Sequence, residues 1–426
     1  MIFDLMVIGG GASGLAAAVT AGRLGASVLV LERMKEPGRK ILASGNGRCN
    51  LTNQNISSDI DKEARLFAAY RSDSDFSSAS DEGFIRHVIS RFDSKKAEEF
   101  FASTGVLTHS RGEYVYPRSD QAKTVRDALV RACEETGSVR IITGCRVLDI
   151  ACASEGFTAA CEDGKAFTAR KLILAAGGRS QEKLGSDGSG ERIAASFGHH
   201  IIPSVPALCS LKTDDPGFFR AAAGVRSEGR VALYIDGEMA SEEIGEIQYT
   251  STGLSGIPVF QVSRYAGKAL SSGSGVLARL DLLPDMGSEA LFIYLSGQSK
   301  AHPDYAVLDL LSGILNEKLS FAVLEKTDIA AEKAACKLSK RELHKICNAL
   351  KESSFNITGT AGFEDSQVTS GGVSLNEVDP DTMMSKLVPG LYITGELLDF
   401  DGICGGYNLH MAWATGIIAG RSASES

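Results

Sequence analysis

The chain of 426 residues is long enough for two or three domains, and its 43% hydrophobic and 23% charged residues exclude a disordered or fibrous protein. A net charge of −9 excludes general attraction to a phosphate backbone, so a nucleic-acid role would need a local basic patch. The nine cysteines form no C-x-x-C, which excludes a relay of adjacent thiols and a zinc spacing; with no metal site and no export signal, they read as reduced thiols in a cytoplasm.

Residues 3–8 are an apolar run of the length of a buried parallel strand. Gly9, Gly11 and Gly14 follow as G-x-G-x-x-G at the entry to a helix. The spacing has a physical reading: Gly9 permits a tight turn, Gly11 lets a pyrophosphate approach the backbone, and Gly14 lets the helix pack on the strand. A second strand over 27–31 ends on Glu32, where an acid accepts hydrogen bonds from ribose hydroxyls and repels a 2′-phosphate, so FAD or NAD is expected here and NADP is not. The uncharged run 5–22 has no basic segment before it and carries its glycines at the turn, so neither a signal peptide nor a membrane span is expected.

Residues 33–53 are polar, glycine-rich and aperiodic, and predict a long loop. Its cations Arg39, Lys40 and Arg48 stand among glycines, a composition suited to wrapping an anionic planar ligand. Helices are expected over 82–92, 94–104 and 120–136, the last with Ala122, Val125, Leu129 and Ala132 on one face, and a Ser/Asp-rich loop over 71–81. Strands are expected over 113–116, 139–142 and 146–150, then over 157–161 and 166–168 as a small meander, and over 171–175 as an apolar strand emptying into Gly177-Gly178. The glycines of 185–190 introduce a helix over 191–197 without a preceding strand, so no second dinucleotide domain is indicated.

An insert is expected from about 195 to 360. Its part 195–284, with 353–360, reads as short barrel-like strands (229–235, 246–249, 276–280) and a helix over 258–270; 285–352 reads as helical, with segments at 290–296, 306–311, 314–319 and 340–350. A strand over 388–395 then ends on Gly395-Glu396, and Gly405-Gly406 open the final helix. A carboxylate there can take ribityl hydroxyls, and a helix start can face a flavin carbonyl or phosphate. The nucleotide domain is thus expected to be discontinuous, 1–194 with 361–426, and Trp413 to face inward.

Three stretches together carry a resemblance: GGGASG at 9–14, GRKILASGNGRCNLTN at 38–53, and SGGVSLNEVDPDTMMSK with GLYITGELLDFDGICGGYNL between 370 and 409. The chain resembles the BaiN-like, YhiN-type FAD-binding flavoproteins, also called the aminoacetone oxidase family, from end to end. The resemblance implies an α/β fold, a Rossmann-type FAD domain of the glutathione-reductase class with an inserted β-barrel and helical subdomain. It implies that Gly9, Gly11, Ser13 and Gly14 hold the pyrophosphate, and that Glu32, with Arg33 beside it, takes the adenosine ribose. Lys40, Ser44, Gly45, Arg48, Cys49 and Asn50 would line the flavin, and Val147 would touch the adenine through its backbone. Ala176 and Gly177 would pass beside the nucleotide, Gly395 and Glu396 would meet the ribityl chain, and Gly405, Gly406, Tyr407 and Asn408 would lie near the isoalloxazine. Two departures, the run Thr250-Ser251-Thr252 before Gly253 and His410 where Gln is usual, leave the family's substrate and proton donor uncarried.

The expected chemistry is a hydride passed from NADH or NADPH through FAD to a small organic acceptor, an enone-type C=C bond being the leading case because some relatives reduce such bonds. Tyr407 and His410 are the expected proton donors, with Cys49 or Arg48 stabilising an anion. Flavin-dependent RNA modification and a non-turnover redox module are the alternatives. The expected partner is a small molecule, with neither nucleic acid nor membrane.

Overall fold

The computed structural model describes residues 2–57, 69–71, 80–153 and 156–425. The loop expected over 71–81 lies almost wholly outside them. The chain forms two compact units, 1–204 with 368–426, and 205–367, each built on its own hydrophobic core.

The first unit is organised on a seven-stranded sheet. Its order is Val139–Ile142, Val28–Leu31, Ile2–Ile8, Ala166–Leu174, Gly156–Cys161 and Val147–Ala153, with Leu391–Ile393 also pairing with Ala166–Leu174. The central pairs are parallel, Leu5 opposite Val28 and Ile8 opposite Leu174. Residues 28–31 and 5–8 are buried on both faces, which is why their sequence shows an unbroken apolar run and no alternation. Each such Val, Leu or Ile adds roughly 1.5–3 kcal/mol of burial.

Two expectations change here. The pieces 166–168 and 171–175 are one strand, which pairs antiparallel with Gly156–Cys161 through its first half and parallel with Ile2–Ile8 along its length, so the polar residues between them turn no corner. The expected loop 33–53 holds a five-residue helix, Arg39–Ala43, a tight turn over Ser44–Gly47 and a short strand, Thr52–Asn53. That strand pairs with Tyr114–Pro117, itself in a hairpin with Thr108–Arg111. Five and two residues are too short to show a period, and the strand exists only through its distant partner.

The first helix, Ala12–Arg23, crosses the last, Tyr407–Glu425, backbone against backbone. A Cβ on Gly416 would lie 2.2 Å from the Ser13 carbonyl oxygen and one on Gly420 2.4 Å from that of Ala17, so this G-x-x-x-G spacing is what lets the two chain ends meet beside the nucleotide turn. Trp413 is buried one turn away, donating to the Leu51 carbonyl at 3.1 Å with its ring edge-on to Phe101.

The second unit is a closed six-stranded barrel, Leu211–Thr213, Gly253–Ser255, Glu238–Thr250, Arg226–Ile235, Val276–Asp281 and Ser353–Thr360, sharing one core with its helices. Ile257–Ser271, Val307–Ser312 and Lys340–Lys351 fall close to expectation, while the helix expected over 290–296 is twice as long, Ser288–Ala301. The helix expected over 314–319 instead begins at Glu317 and runs to Thr327. Asn316 caps it by accepting from Lys318 N–H, a start signal that Ile314 and Leu315 mask. Among the described residues, no helix is long and apolar enough to cross a membrane.

Candidate nucleotide and flavin site

At the first strand–helix turn the glycines divide into two kinds. Gly9 has φ +103° and a Cβ there would stand 2.5 Å from the Ala175 carbonyl oxygen; one on Gly14 would stand 1.9 Å from the Gly9 oxygen. These two are required by the protein's own packing. Gly11 is different, because a Cβ there would meet nothing within 4 Å. It lines open space at a helix start that no side chain caps and whose first turn holds no acid, so the backbone donors and the helix dipole face that space unopposed. Ser13 is buried just inside, and Ala176 and Gly177, with φ +71° at Gly177, carry the neighbouring strand end past the same turn.

Glu32 follows the second strand, nearly buried. Its carboxylate accepts from Gly10 and Met34 N–H groups, both at 2.7 Å, which aims it at the turn. Burial raises its carboxyl above the usual range, while those two donors favour the charged form. A carboxylate accepting two bonds retains lone pairs for two ribose hydroxyls. Arg33 points elsewhere: its guanidinium holds Asp187 at 2.7 Å and the Glu182 carbonyl, and Asp187 also takes Arg146 at 3.1 Å. Its side chain is thus engaged by the protein's own carboxylate and carbonyl. Val147 opens the outer strand opposite Cys161, nearly buried, beside a register irregularity.

At the other end of the cradle Lys40 meets Glu396 at 2.5 Å, and the second Glu396 oxygen accepts from Thr369 N–H at 2.8 Å. Both charged side chains keep some exposure. Gly395, beside them, donates its N–H to Thr415 at 3.0 Å. Thr369 gave no signal in the sequence, being a lone threonine whose contribution is a backbone N–H. Ser44 bonds the Ile41 carbonyl, and Gly45 and Arg48 are exposed.

The remaining expected flavin residues form something else. Thr52 bonds the Nδ1 of His410 at 2.8 Å, and the His410 Nε2 faces the Phe92 carbonyl at 2.9 Å. A carbonyl only accepts, so Nε2 carries the proton and Nδ1 accepts from Thr52. Asn50, with its NH2 toward the Val115 and Thr52 carbonyls, accepts from Gly406 N–H at 3.3 Å. Asn53 donates to the Gly405 carbonyl at 3.0 Å, and Asn408 bonds both the N–H and the C=O of Gly402 at 2.8 Å. The two motifs at 44–53 and 402–410 are thus largely each other's partners.

Burial and these hydrogen bonds bear on the roles expected of four residues. His410 is fully buried with both nitrogens engaged, and burial pushes its pKa down to about 4, so at neutral pH it is a neutral imidazole whose one N–H is held by the Phe92 carbonyl. Cys49 is fully buried, and burial drives its thiol up to about 12, so it offers no thiolate at neutral pH. Asn50 and Asn408 direct their amides into the protein. Tyr407 remains: nearly buried and edge-on to Tyr70, it bonds Asn55, and burial raises its phenol above the usual range.

The residues at the first turn fit a dinucleotide: an uncapped helix start, an open position at Gly11 and an acid beyond the second strand. Comparison with known proteins agrees. The family model described as the HI0933-like protein Rossmann domain matches residues 3–422. The chain is 42% identical over 421 residues to the 3-dehydro-bile acid delta(4,6)-reductase of Clostridium scindens, covering 98% of each, and 31% identical over 415 residues to the ribosomal RNA dihydrouridine synthase of Escherichia coli, covering 97% of this chain and 96% of that one. In fold it is similar to the 3-ketosteroid-delta4-(5alpha)-dehydrogenase of Rhodococcus jostii, at TM-score 0.53 and 17% identity over 100% of this chain and 97% of that one. The chain belongs to the HI0933-like family of FAD-binding Rossmann proteins, and it is an FAD-dependent oxidoreductase.

Proposed function

We propose that the enzyme reduces a carbon–carbon double bond conjugated to a carbonyl in a small organic acceptor, with NADH or NADPH as the electron source. The observation that carries this is the full-length 42% identity to a reductase whose name specifies a 3-oxo compound unsaturated at positions 4 and 6. Bound FAD supplies the hydride at N5. The protein must hold the nucleotide, place a cation near the developing enolate and deliver a proton.

The first task falls to the uncapped helix start and Glu32, and the ribityl chain to Glu396, fixed by Lys40 and the Thr369 N–H. Arg48 is an exposed cation of the basic loop, close enough for its charge to help lower the Asp120 carboxyl. Of the four groups considered for catalysis, Tyr407 alone has both a proton at neutral pH and a hydroxyl held by a neutral partner, Asn55. A second reading keeps the reaction and changes the acceptor. The 31% identity to a dihydrouridine synthase favours the C5=C6 bond of uracil in RNA, which is also conjugated to a carbonyl, although the charge of −9 gives no general attraction to RNA.

Anaerobic mixing with NADH and with NADPH tests the donor, and adding either a 3-oxo-Δ4,6 steroid or unmodified ribosomal RNA to the reduced protein tests the acceptor. The expected result is bleaching by a nicotinamide and recovery of the yellow spectrum with the steroid. A flavin that neither nicotinamide bleaches removes the donor, and one that the steroid leaves bleached removes the acceptor. Tyr407→Phe should leave bleaching intact and slow reoxidation about a hundredfold, the usual scale of a lost general acid.

A further inference from the structure

Two cysteines that lie 16 residues apart in sequence meet on the outer edge of the first unit. The Sγ atoms of Cys145 and Cys161 are 3.1 Å apart, and the two residues are 4% and 6% exposed. Cys161 ends the strand Gly156–Cys161, and Cys145 sits in the loop between Val139–Ile142 and Val147–Ala153. That loop grips the segment carrying the ribose acid. Cys145 N–H donates to the Glu32 carbonyl and Gly144 N–H to the Met34 carbonyl, both at 2.9 Å, while the next residue, Arg146, shares Asp187 with Arg33.

We propose that Cys145 and Cys161 are a modification site, a thiol pair that a hydroperoxide converts to a disulfide, and that the bond clamps the loop behind Glu32 and slows release of FAD. The reaction balances as two thiols and one hydroperoxide giving one disulfide, one alcohol (or water, from hydrogen peroxide) and one water. One sulfur attacks the peroxide O–O bond and becomes a sulfenic acid; the second displaces hydroxide from it, each sulfur losing one electron and the peroxide gaining two. Burial pushes the Cys161 thiol up, so it reacts more slowly than an exposed thiol, and the exposed Cys152 and Cys336 must be blocked first.

The test uses the native holoenzyme. Accessible thiols are alkylated with a light reagent, hydrogen peroxide is added and removed, and the protein is unfolded, labelled with a heavy reagent and mapped by mass spectrometry, with and without reductant. The expected result is a single cross-linked peptide pair containing Cys145 and Cys161, 2 Da lighter than the sum of its reduced parts and abolished by reductant. FAD release, followed by flavin fluorescence on dilution, should slow severalfold in the oxidised wild type and not in peroxide-treated Cys145→Ser. Heavy label on both cysteines after peroxide, or oxidation of each separately to a sulfinic or sulfonic acid, overturns the site. A cross-link that leaves FAD release unchanged or faster overturns the clamp.

Discussion

The turn at residues 9–14 and the joint at 402–410 both carry glycines at the start of a long helix, yet they do opposite work. At the first turn the donors face outward and the Gly11 position is open; at the second, Asn50, Thr52, Asn53, Asn408 and His410 bind each other or the nearby backbone. A Cβ on Gly406, whose φ is +97°, would stand 2.7 Å from the Thr52 carbonyl. One glycine motif leaves room for a ligand, and the other leaves room for the protein. What separates them is where the nearest backbone atom lies.

The sharpest way to break that distinction is to add one methyl group at each place. Gly14→Ala puts a Cβ into the Gly9 carbonyl and Gly406→Ala forces an alanine into left-handed backbone against Thr52, so each should cost on the order of 3–4 kcal/mol and lower the melting temperature even without FAD. Gly11→Ala should leave the melting temperature of the FAD-free protein unchanged and weaken FAD binding about tenfold, or roughly 1.4 kcal/mol. Calorimetry with a flavin titration separates the two outcomes. An apo-protein destabilised by Gly11→Ala would place that residue in the protein's packing.

The joint also makes a prediction about pH. His410 is held neutral, with a folded pKa near 4 against about 6.5 in an unfolded chain. Below pH 6.5 the unfolded chain binds the proton that the folded one refuses, so this stabilisation is complete above 6.5 and is lost as pH falls toward 4, a change of about 3 kcal/mol. His410→Gln can keep both hydrogen bonds and has no such titration. Denaturant midpoints measured between pH 4 and 7 should therefore fall less steeply for the variant, and reoxidation of its flavin by acceptor should match the wild type. Slower reoxidation at full flavin content would return His410 to the chemistry.

How much of this was legible in sequence depends on the range of the interaction. The strand 3–8, the three glycines, Glu32 and the helices with a clear apolar face are local patterns, and the structure holds them within one or two residues. The short strand Thr52–Asn53 is not local, because two residues acquire strand geometry only from Tyr114–Pro117, some sixty positions away. The site behaves the same way. Lys40 and Glu396 are 356 residues apart and each is recognisable as polar near glycine, but their pairing is not. His410 and Cys49 misled for a complementary reason: their residue types signal reactivity, and only burial and occupied nitrogens reveal that the reactivity is suppressed.

The smallest expected effect sits on that long-range pair. Lys40 and Glu396 are partly solvated, with side chains 25% and 20% exposed, so the ion pair itself should add no more than about 1 kcal/mol to stability. Its worth lies in orientation: Lys40 and the Thr369 N–H each take one Glu396 oxygen, leaving the outward lone pairs in a fixed direction for hydroxyl donors. Lys40→Met should therefore barely move the melting temperature of the FAD-free protein and raise the FAD dissociation constant about threefold to tenfold. Glu396→Gln, which removes both the charge and one acceptor oxygen, should do more, and the double variant should cost less than the sum of the two because they act on one carboxylate. Strict additivity in that cycle would mean that Lys40 meets the cofactor independently of Glu396. A large loss of apo-protein stability from either single variant would place the pair with the closed joint, away from the open turn.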